Sequence, residues 1–194
     1  ICPSRGLGDV YKRQIVYYRG HELPPGTNAE LIATASFSIE GIPFVFTNSA
    51  MGCLVDVDVD TGLTKIEKFW AVEDCGTQIN PKLVEEQIRG GVVQGIGGAL
   101  YEECIYDEMG NLTNGNMADY LVPMAYEMPD IIVDHVTTNS GRSILGAKGA
   151  GEAGTGGAPG AIMNAINDAL ISLNTEVTSQ PITPEKVLKA LGKI

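Results

Sequence analysis

Glu152 has the clearest capacity for chemistry in this sequence. It is the single acid of the fifteen residues Gly146 to Gly160, GAKGAGEAGTGGAPG, which also hold seven glycines and one lysine, Lys148. Glycines let a backbone fold closely around a reacting centre and leave few side chains to compete for hydrogen bonds. A carboxylate from which a closing ligand excludes water is a stronger base, so Glu152 is a candidate general base. A solvated surface acid is the plainer alternative. Neither histidine, His21 or His135, neighbours a serine or cysteine in an arrangement that would make a rival nucleophile.

Two amides form the second candidate. At about 100° per residue, Gln87 and Gln94 lie within roughly 20° of each other on a helix, with Gly91 and Gly98 close to the same line. Glycines at 90, 91, 95, 97 and 98 fall inside that helix, and each costs about 1 kcal/mol relative to alanine. Something must offset that cost. A face of amides among glycines suits a body docking closely against the backbone; close helix packing with solvated glutamines is the alternative. A third pattern, Gly149, Gly151 and Gly154 with Asp168 beyond, fits GxGxxG. The Arg142–Leu145 run before it is too brief for the strand of a dinucleotide fold, and Glu152 would face the pyrophosphate, so a nucleotide-binding module is the weakest of the readings.

The elements that must position these residues can be read from periodicity. Ile15 to Gly26 ends in Pro24-Pro25-Gly26 and reads as a loop. Leu31 to Phe46 suggests two short strands about Gly41-Ile42-Pro43. Cys53, Val55, Val57 and Val59 alternate with Leu54, Asp56, Asp58 and Asp60, a half-buried strand. A turn at Thr61-Gly62 leads into a partner strand, Leu63 to Glu73, expected to carry Ile66, Trp70 and Val72 on one side and Lys65 and Glu67 on the other. Asn80-Pro81 caps a helix running to about Leu100, whose Val84, Ile88, Val92, Ile96 and Leu100 form an apolar stripe suited to a sheet. Met117 to Met128 reads as partly extended, Ile131 to Thr138 as a strand, Ala161 to Leu173 as a helix, and Thr183-Pro184 as the start of a last short helix. Hairpins and helices without regular strand-helix alternation predict an α+β fold, a mixed sheet with packed helices.

Bulk properties narrow the partners. The 194 residues are 44% hydrophobic and 19% charged, with a net charge of -11. No Lys/Arg cluster invites nucleic acid or an anionic membrane, and no run approaches the roughly 18 apolar residues of a membrane span. Cytoplasmic location is the expectation. The four cysteines, Cys2, Cys53, Cys75 and Cys104, are widely spaced, which predicts reduced, mostly buried thiols and no metal held by side chains. Residues 1–14 differ in character from the rest and end in Asp9-Val10-Tyr11-Lys12-Arg13-Gln14, which looks like a translated adaptor. On that reading the native text starts at Ile15, 15–51 are the remnant of an upstream part, and 52–194 are a C-terminal domain.

Three segments together resemble a known family. Val72-Glu73-Asp74-Cys75-Gly76 with Ile79-Asn80-Pro81, then Glu86-Gln87-Ile88-Arg89-Gly90-Gly91-Val92-Val93-Gln94-Gly95, then Gly146-Ala147-Lys148-Gly149-Ala150-Gly151-Glu152 are similar in order and spacing to the C-terminal part of the large subunit of the xanthine dehydrogenase and aldehyde oxidase family. The resemblance implies a molybdenum hydroxylase, in which molybdenum is held by the dithiolene of a pterin and an aldehyde or purine-like N-heterocycle is hydroxylated with oxygen from water. Glu152 matches the family's proton-accepting glutamate and Gln87 its pterin-bonding glutamine. With the helix face, this nominates Gln87, Gln94, Gly91, Lys148, Gly149, Ala150 and Gly151 as cofactor-binding. It further implies molybdopterin in its cytosine dinucleotide form, FAD and 2Fe-2S clusters on other domains or subunits, and an oligomer. A non-catalytic cofactor-binding or assembly relative of the same fold is the alternative.

Overall fold

In the computed structural model, residues 47–194 are described throughout, and of those before them four strands are described by their backbone. The proposed adaptor segment lies outside the described residues. The strands are β1 (Val16–Arg19), β2 (Ala29–Ala33), β3 (Ser36–Ile39), β4 (Ile42–Val45), β5 (Asn48–Val57), β6 (Thr64–Asp74) and β7 (Ile131–His135). Three α-helices are described: α1 (Pro81–Leu100), α2 (Ala153–Leu170) and α3 (Pro184–Ala190). One sheet has the order β1-β2-β5-β6-β7, and β3-β4 form a separate hairpin. All neighbours in the larger sheet are antiparallel except β6 and β7, which are parallel. This is the α+β mixed sheet that the pattern of elements predicts.

Several boundaries differ from expectation. Val16–Arg19 is a strand rather than loop, pairing with β2 through a β-branched and aromatic run that suits an edge. Ile42 and Pro43 open β4 instead of forming the turn. Met117 to Met128 contains no strand, only a 3-10 turn at Ala125–Glu127. The β5-β6 hairpin follows the alternation: Leu54 and Asp56 are exposed while Cys53, Val55 and Val57 pack against the core. Asp58 closes the turn, its Oδ1 accepting from the amides of Asp60 at 2.9 Å and Thr61 at 3.4 Å.

The larger correction concerns β6. Leu54 pairs with Lys68, whereas Val55 pairs with Ile66, so Glu67 is an extra residue on β6. Beyond this bulge every side chain changes face. Ile66 stays in the core, but Phe69, Ala71 and Glu73 join it, while Trp70 and Val72, expected beside Ile66, turn to the other face. An acid is thereby carried into the interior.

Helix α1 begins as its sequence demands: Asn80 Oδ1 accepts from the Leu83 amide at 3.3 Å and Pro81 takes the first helical position. Ile88, Val92 and Ile96 are fully buried, but the stripe meets α2 more than it meets the sheet. Helix α2 starts at Ala153, eight residues earlier than the apolar pattern predicts, so the second half of the glycine-rich stretch is helical. Gly154, Gly156, Gly157 and Gly160 and an internal Pro159 disfavour that helix locally. Packing overrides them. A β-carbon on Gly154 would lie 2.1 Å from the Ile88 carbonyl oxygen, and one on Gly91 would lie 2.9 Å from the Gly154 Cα. The two helices cross with backbones touching, and only glycine fits on either side.

Candidate functional site

The site lies where the end of β6, the turn after β7 and the start of α2 meet the exposed face of α1. The segment 146–152 is fastened to the sheet's end like an added strand. Gly76 and Ala147 form an antiparallel bridge, and the Lys148 amide donates to the Cys75 carbonyl at 2.8 Å. Gly76 has φ +65, and a β-carbon there would lie 2.1 Å from the Gly146 oxygen, so the crossing requires glycine.

Beneath this segment the two acids at the end of β6 face opposite ways and have opposite fates. Asp74 Oδ1 accepts from the amides of Gly76 and Thr138, both at 3.0 Å, and Oδ2 from the Thr138 hydroxyl and the Lys148 ammonium, the latter at 3.0 Å. Burial pushes the Asp74 carboxyl up, but the Thr138 hydroxyl and amide, Lys148 and the Gly76 amide together outweigh it and hold it well below the usual carboxylate range. Glu73, fully buried on the core face, has one donor, the Thr47 hydroxyl, 3.0 Å from Oε2. Its Oε1 has no hydrogen-bond partner among the described residues. Burial pushes its carboxyl up to about 7, against the pull of the Thr47 hydroxyl.

The Glu73 shift has a thermodynamic sign. Between the ordinary value of 4.5 and about 7, the folded chain keeps a proton that the unfolded chain has released. Stability therefore falls as pH rises through that window, by about 3 kcal/mol in all, and is flat above it. Glu73→Gln removes this decline: by urea denaturation, the variant matches the parent near pH 4 and exceeds it at pH 8. Equal stability at pH 8 would count against a buried, protonated Glu73.

The sequence-predicted residues divide into two groups. Gln87 and the glutamate loop come together, the Gln87 Nε2 donating to the Gly151 carbonyl at 2.6 Å. Gln94 lies on the same exposed face, its Oε1 accepting from the Thr155 hydroxyl at 3.3 Å. Glu152 occupies the N-cap position of α2, exposed, with a side chain that makes no cap hydrogen bond. The amides of Gly149, Ala150, Gly151 and Glu152 have no protein acceptor among the described residues.

Gly91 and the Lys148 side chain are placed otherwise. Gly91 is buried against α2 and its carbonyl accepts from the Thr155 hydroxyl at 3.2 Å, so the helix crossing and not an open docking face accounts for it. The open glycines on α1 are Gly90 and Gly98, where an added β-carbon meets nothing within 4 Å. Lys148 is 6% exposed and its ammonium is turned to Asp74 and to the Thr138 hydroxyl, away from the amide face.

Asp74, Thr138, Glu73 and Thr47 were not among the expected site residues. Glu73 carried a signal, as an acid following Trp70-Ala71-Val72, but only the bulge reveals which way it points. Nothing local in the sequence links Asp74 to Thr138, sixty-four positions apart. Two expected features can be settled here. β7 ends at His135 and no strand leads into the glycine-rich segment, which removes the arrangement a dinucleotide fingerprint needs. Of the described thiols, all free, Cys53 and Cys75 are at least partly buried and Cys104 is exposed, in keeping with mostly buried thiols. No described helix is long and apolar enough to cross a membrane.

Known proteins resemble this chain in sequence and in fold. The family model of the molybdopterin cofactor-binding domain matches residues 9–129. The large subunit of nicotine 6-hydroxylase from Paenarthrobacter nicotinovorans is 41% identical over 175 residues, which are 90% of this chain and 21% of that protein. The carbon monoxide dehydrogenase large chain of Afipia carboxidovorans is 34% identical over 91% of this chain and 22% of its own length. Among solved structures, quinoline 2-oxidoreductase from Pseudomonas putida 86 superposes with a TM-score of 0.73 at 43% identity, covering 76% of this chain and 19% of that one. The chain thus spans about a fifth of the length of the relatives it matches. A domain model over most of the sequence, and relatives that extend the match across the glutamate loop, lead to one assignment: this chain belongs to the molybdopterin cofactor-binding domain family.

Proposed function

We propose that the chain is the C-terminal part of the large subunit of a molybdenum hydroxylase that oxidatively hydroxylates an N-heterocycle, with oxygen from water and Glu152 as general base. The observation that carries this reading is the hydrogen bond from Gln87 to the Gly151 carbonyl, which joins the amide face of α1 to the loop bearing Glu152. N-heterocycles are favoured over aldehydes or carbon monoxide because the nicotine and quinoline enzymes are 41% and 43% identical, against 30% to 37% for the aldehyde and carbon monoxide enzymes.

The residues present suit a pterin. Its polar edge needs donors and acceptors in one plane; Gln87 offers Oε1 and its second amide hydrogen, and Gln94 its whole NH2 group. The open glycines Gly90, Gly98 and Gly151 leave room for a flat group close to the backbone. The undonated amides of Gly149, Ala150 and Gly151 offer further donors toward the cofactor, here proposed in its cytosine dinucleotide form. When bound, the cofactor supplies the molybdenum centre that hydroxylates the carbon and accepts two electrons. Glu152 takes up the proton released as oxygen is transferred. Gln87 holds the Gly151 carbonyl, and so the start of α2, in register with the amide face. Partner domains or subunits carrying FAD and 2Fe-2S clusters would take up the electrons, in an oligomeric cytoplasmic enzyme.

Gln87→Ala in the assembled enzyme should lower molybdenum per subunit about 3–10-fold under dilution, the effect of losing one or two hydrogen bonds. Metal analysis reads this directly, and release of cytidine monophosphate on acid hydrolysis tests the dinucleotide form. Unchanged molybdenum content would remove the amide face from cofactor binding.

A further inference from the structure

We infer that Glu73 is a positioning residue that, through Thr47, tethers the loop Gly149–Glu152 to the core of the sheet. Thr47 is the link: its hydroxyl donates to Glu73 Oε2 at 3.0 Å, and its backbone amide donates to the Gly149 carbonyl at 3.2 Å. Glu73 is fully buried, which fixes the acceptor in place. Among the described residues, further fastenings lie at the opposite face and at the preceding residues: the Lys148 ammonium on Asp74, the Lys148 amide on Cys75, and the bridge at Ala147. Within Gly149–Glu152, the hydrogen bonds to the rest of the described molecule are Thr47 to Gly149 and Gln87 to Gly151. The Glu73 tether is thus one of two that reach the residues next to Glu152.

A buried acid is an expensive anchor unless its form suits the site. Ser49 faces Glu73 across β5 and His135 across β7, and neither is its hydrogen-bond partner. Asp74 and Lys148 are engaged with each other on the far face, and Cys75 lies just past the end of the strand. Burial pushes Glu73 up to about 7, so a neutral side chain with one oxygen accepting from Thr47 is well populated at neutral pH. Glutamine is the isostere of that form. Leucine fills the space and accepts nothing.

The inference rests on the reading of Glu152 as base only for its effect on turnover; the tether itself is tested without it. In the assembled enzyme, Glu73→Leu and Thr47→Val should each speed exchange of the residue-47 amide, which donates to the Gly149 carbonyl, by about 3–10-fold, the factor for one hydrogen bond. Glu73→Gln should restore the parent rate. The same two variants should lower kcat by a similar factor with KM nearly unchanged. Should Glu73→Leu fail to assemble, Thr47→Val carries the test, because it removes only a hydroxyl from a half-buried position. Parent-like exchange in Thr47→Val, or fast exchange in Glu73→Gln, overturns the tether. Faster exchange with full kcat supports the tether and counts against Glu152 as base.

Discussion

Glu152→Gln, made in the assembled enzyme, lowers turnover by about 10²–10⁴-fold while molybdenum stays bound, the range for losing a positioned general base. The substitution is close to isosteric and removes only the capacity to take up a proton. Glu152 is exposed, and its side chain makes no capping bond to α2, so the fold does not depend on the carboxylate. Its neighbours Gly151 and Lys148 are held by backbone bonds that the variant leaves intact. A purely structural role would show itself as lost metal or a lowered unfolding midpoint, with near-normal turnover per bound molybdenum. Steady-state kinetics beside metal analysis on one preparation separate the two, and retained rate excludes Glu152 from catalysis.

The second large effect is on stability. Asp74→Asn should cost about 3–5 kcal/mol at neutral pH, because it leaves the Lys148 ammonium, 6% exposed, without its counter-charge. The Asp74→Asn/Lys148→Met double variant should recover part of that loss, since a missing pair is less costly than half of one. Urea denaturation of the two single variants and the double gives the coupling energy; additive losses would mean that the pair is not a unit. The pH dependence has the opposite sign to that of Glu73. The folded-state value of Asp74 lies below the ordinary 3.8, so its contribution is complete above that pH and disappears as pH falls below it. Lost with it is the clamp on Lys148, and hence the root of the glutamate loop.

Much of the scaffold was legible, because local rules and tertiary packing agreed there. Asn80-Pro81 and the spacing of Ile88, Val92 and Ile96 mark α1 without ambiguity, and alternation through Cys53 to Val57 marks β5. Where packing overrode local preference, reading failed. Helix α2 could not be started at Ala153 from a sequence of glycines and a proline, since its stability there comes from the contact with Gly91 and Ile88. The faces of β6 beyond Ile66 depended on one unpaired residue, Glu67, which no propensity announces. The candidate site was legible in its residue types: one acid among glycines and two amides on one face. Its assembly was not, because Gln87 and Gly151 meet across sixty-four positions, and the side chains that hold the loop, Asp74 and Glu73, are distinguished only by strand parity.

That parity governs how such a site can change over time. Which of two adjacent acids points inward is a discrete property of strand register, and amino-acid replacement cannot tune it by degrees. Loss of the unpaired Glu67 would only close the bulge, because Leu54–Lys68 and Val55–Ile66 would then be consecutive pairs. A residue gained or lost between Lys68 and Glu73 would instead exchange the environments of Glu73 and Asp74 at a stroke, whereas point changes along β6 leave the arrangement standing. Lineages carrying this hairpin are therefore free to drift in residue type on its outer face but are bound in length between the bulge and Glu73, and the marker to follow among homologues is a gap in that stretch, not a substitution.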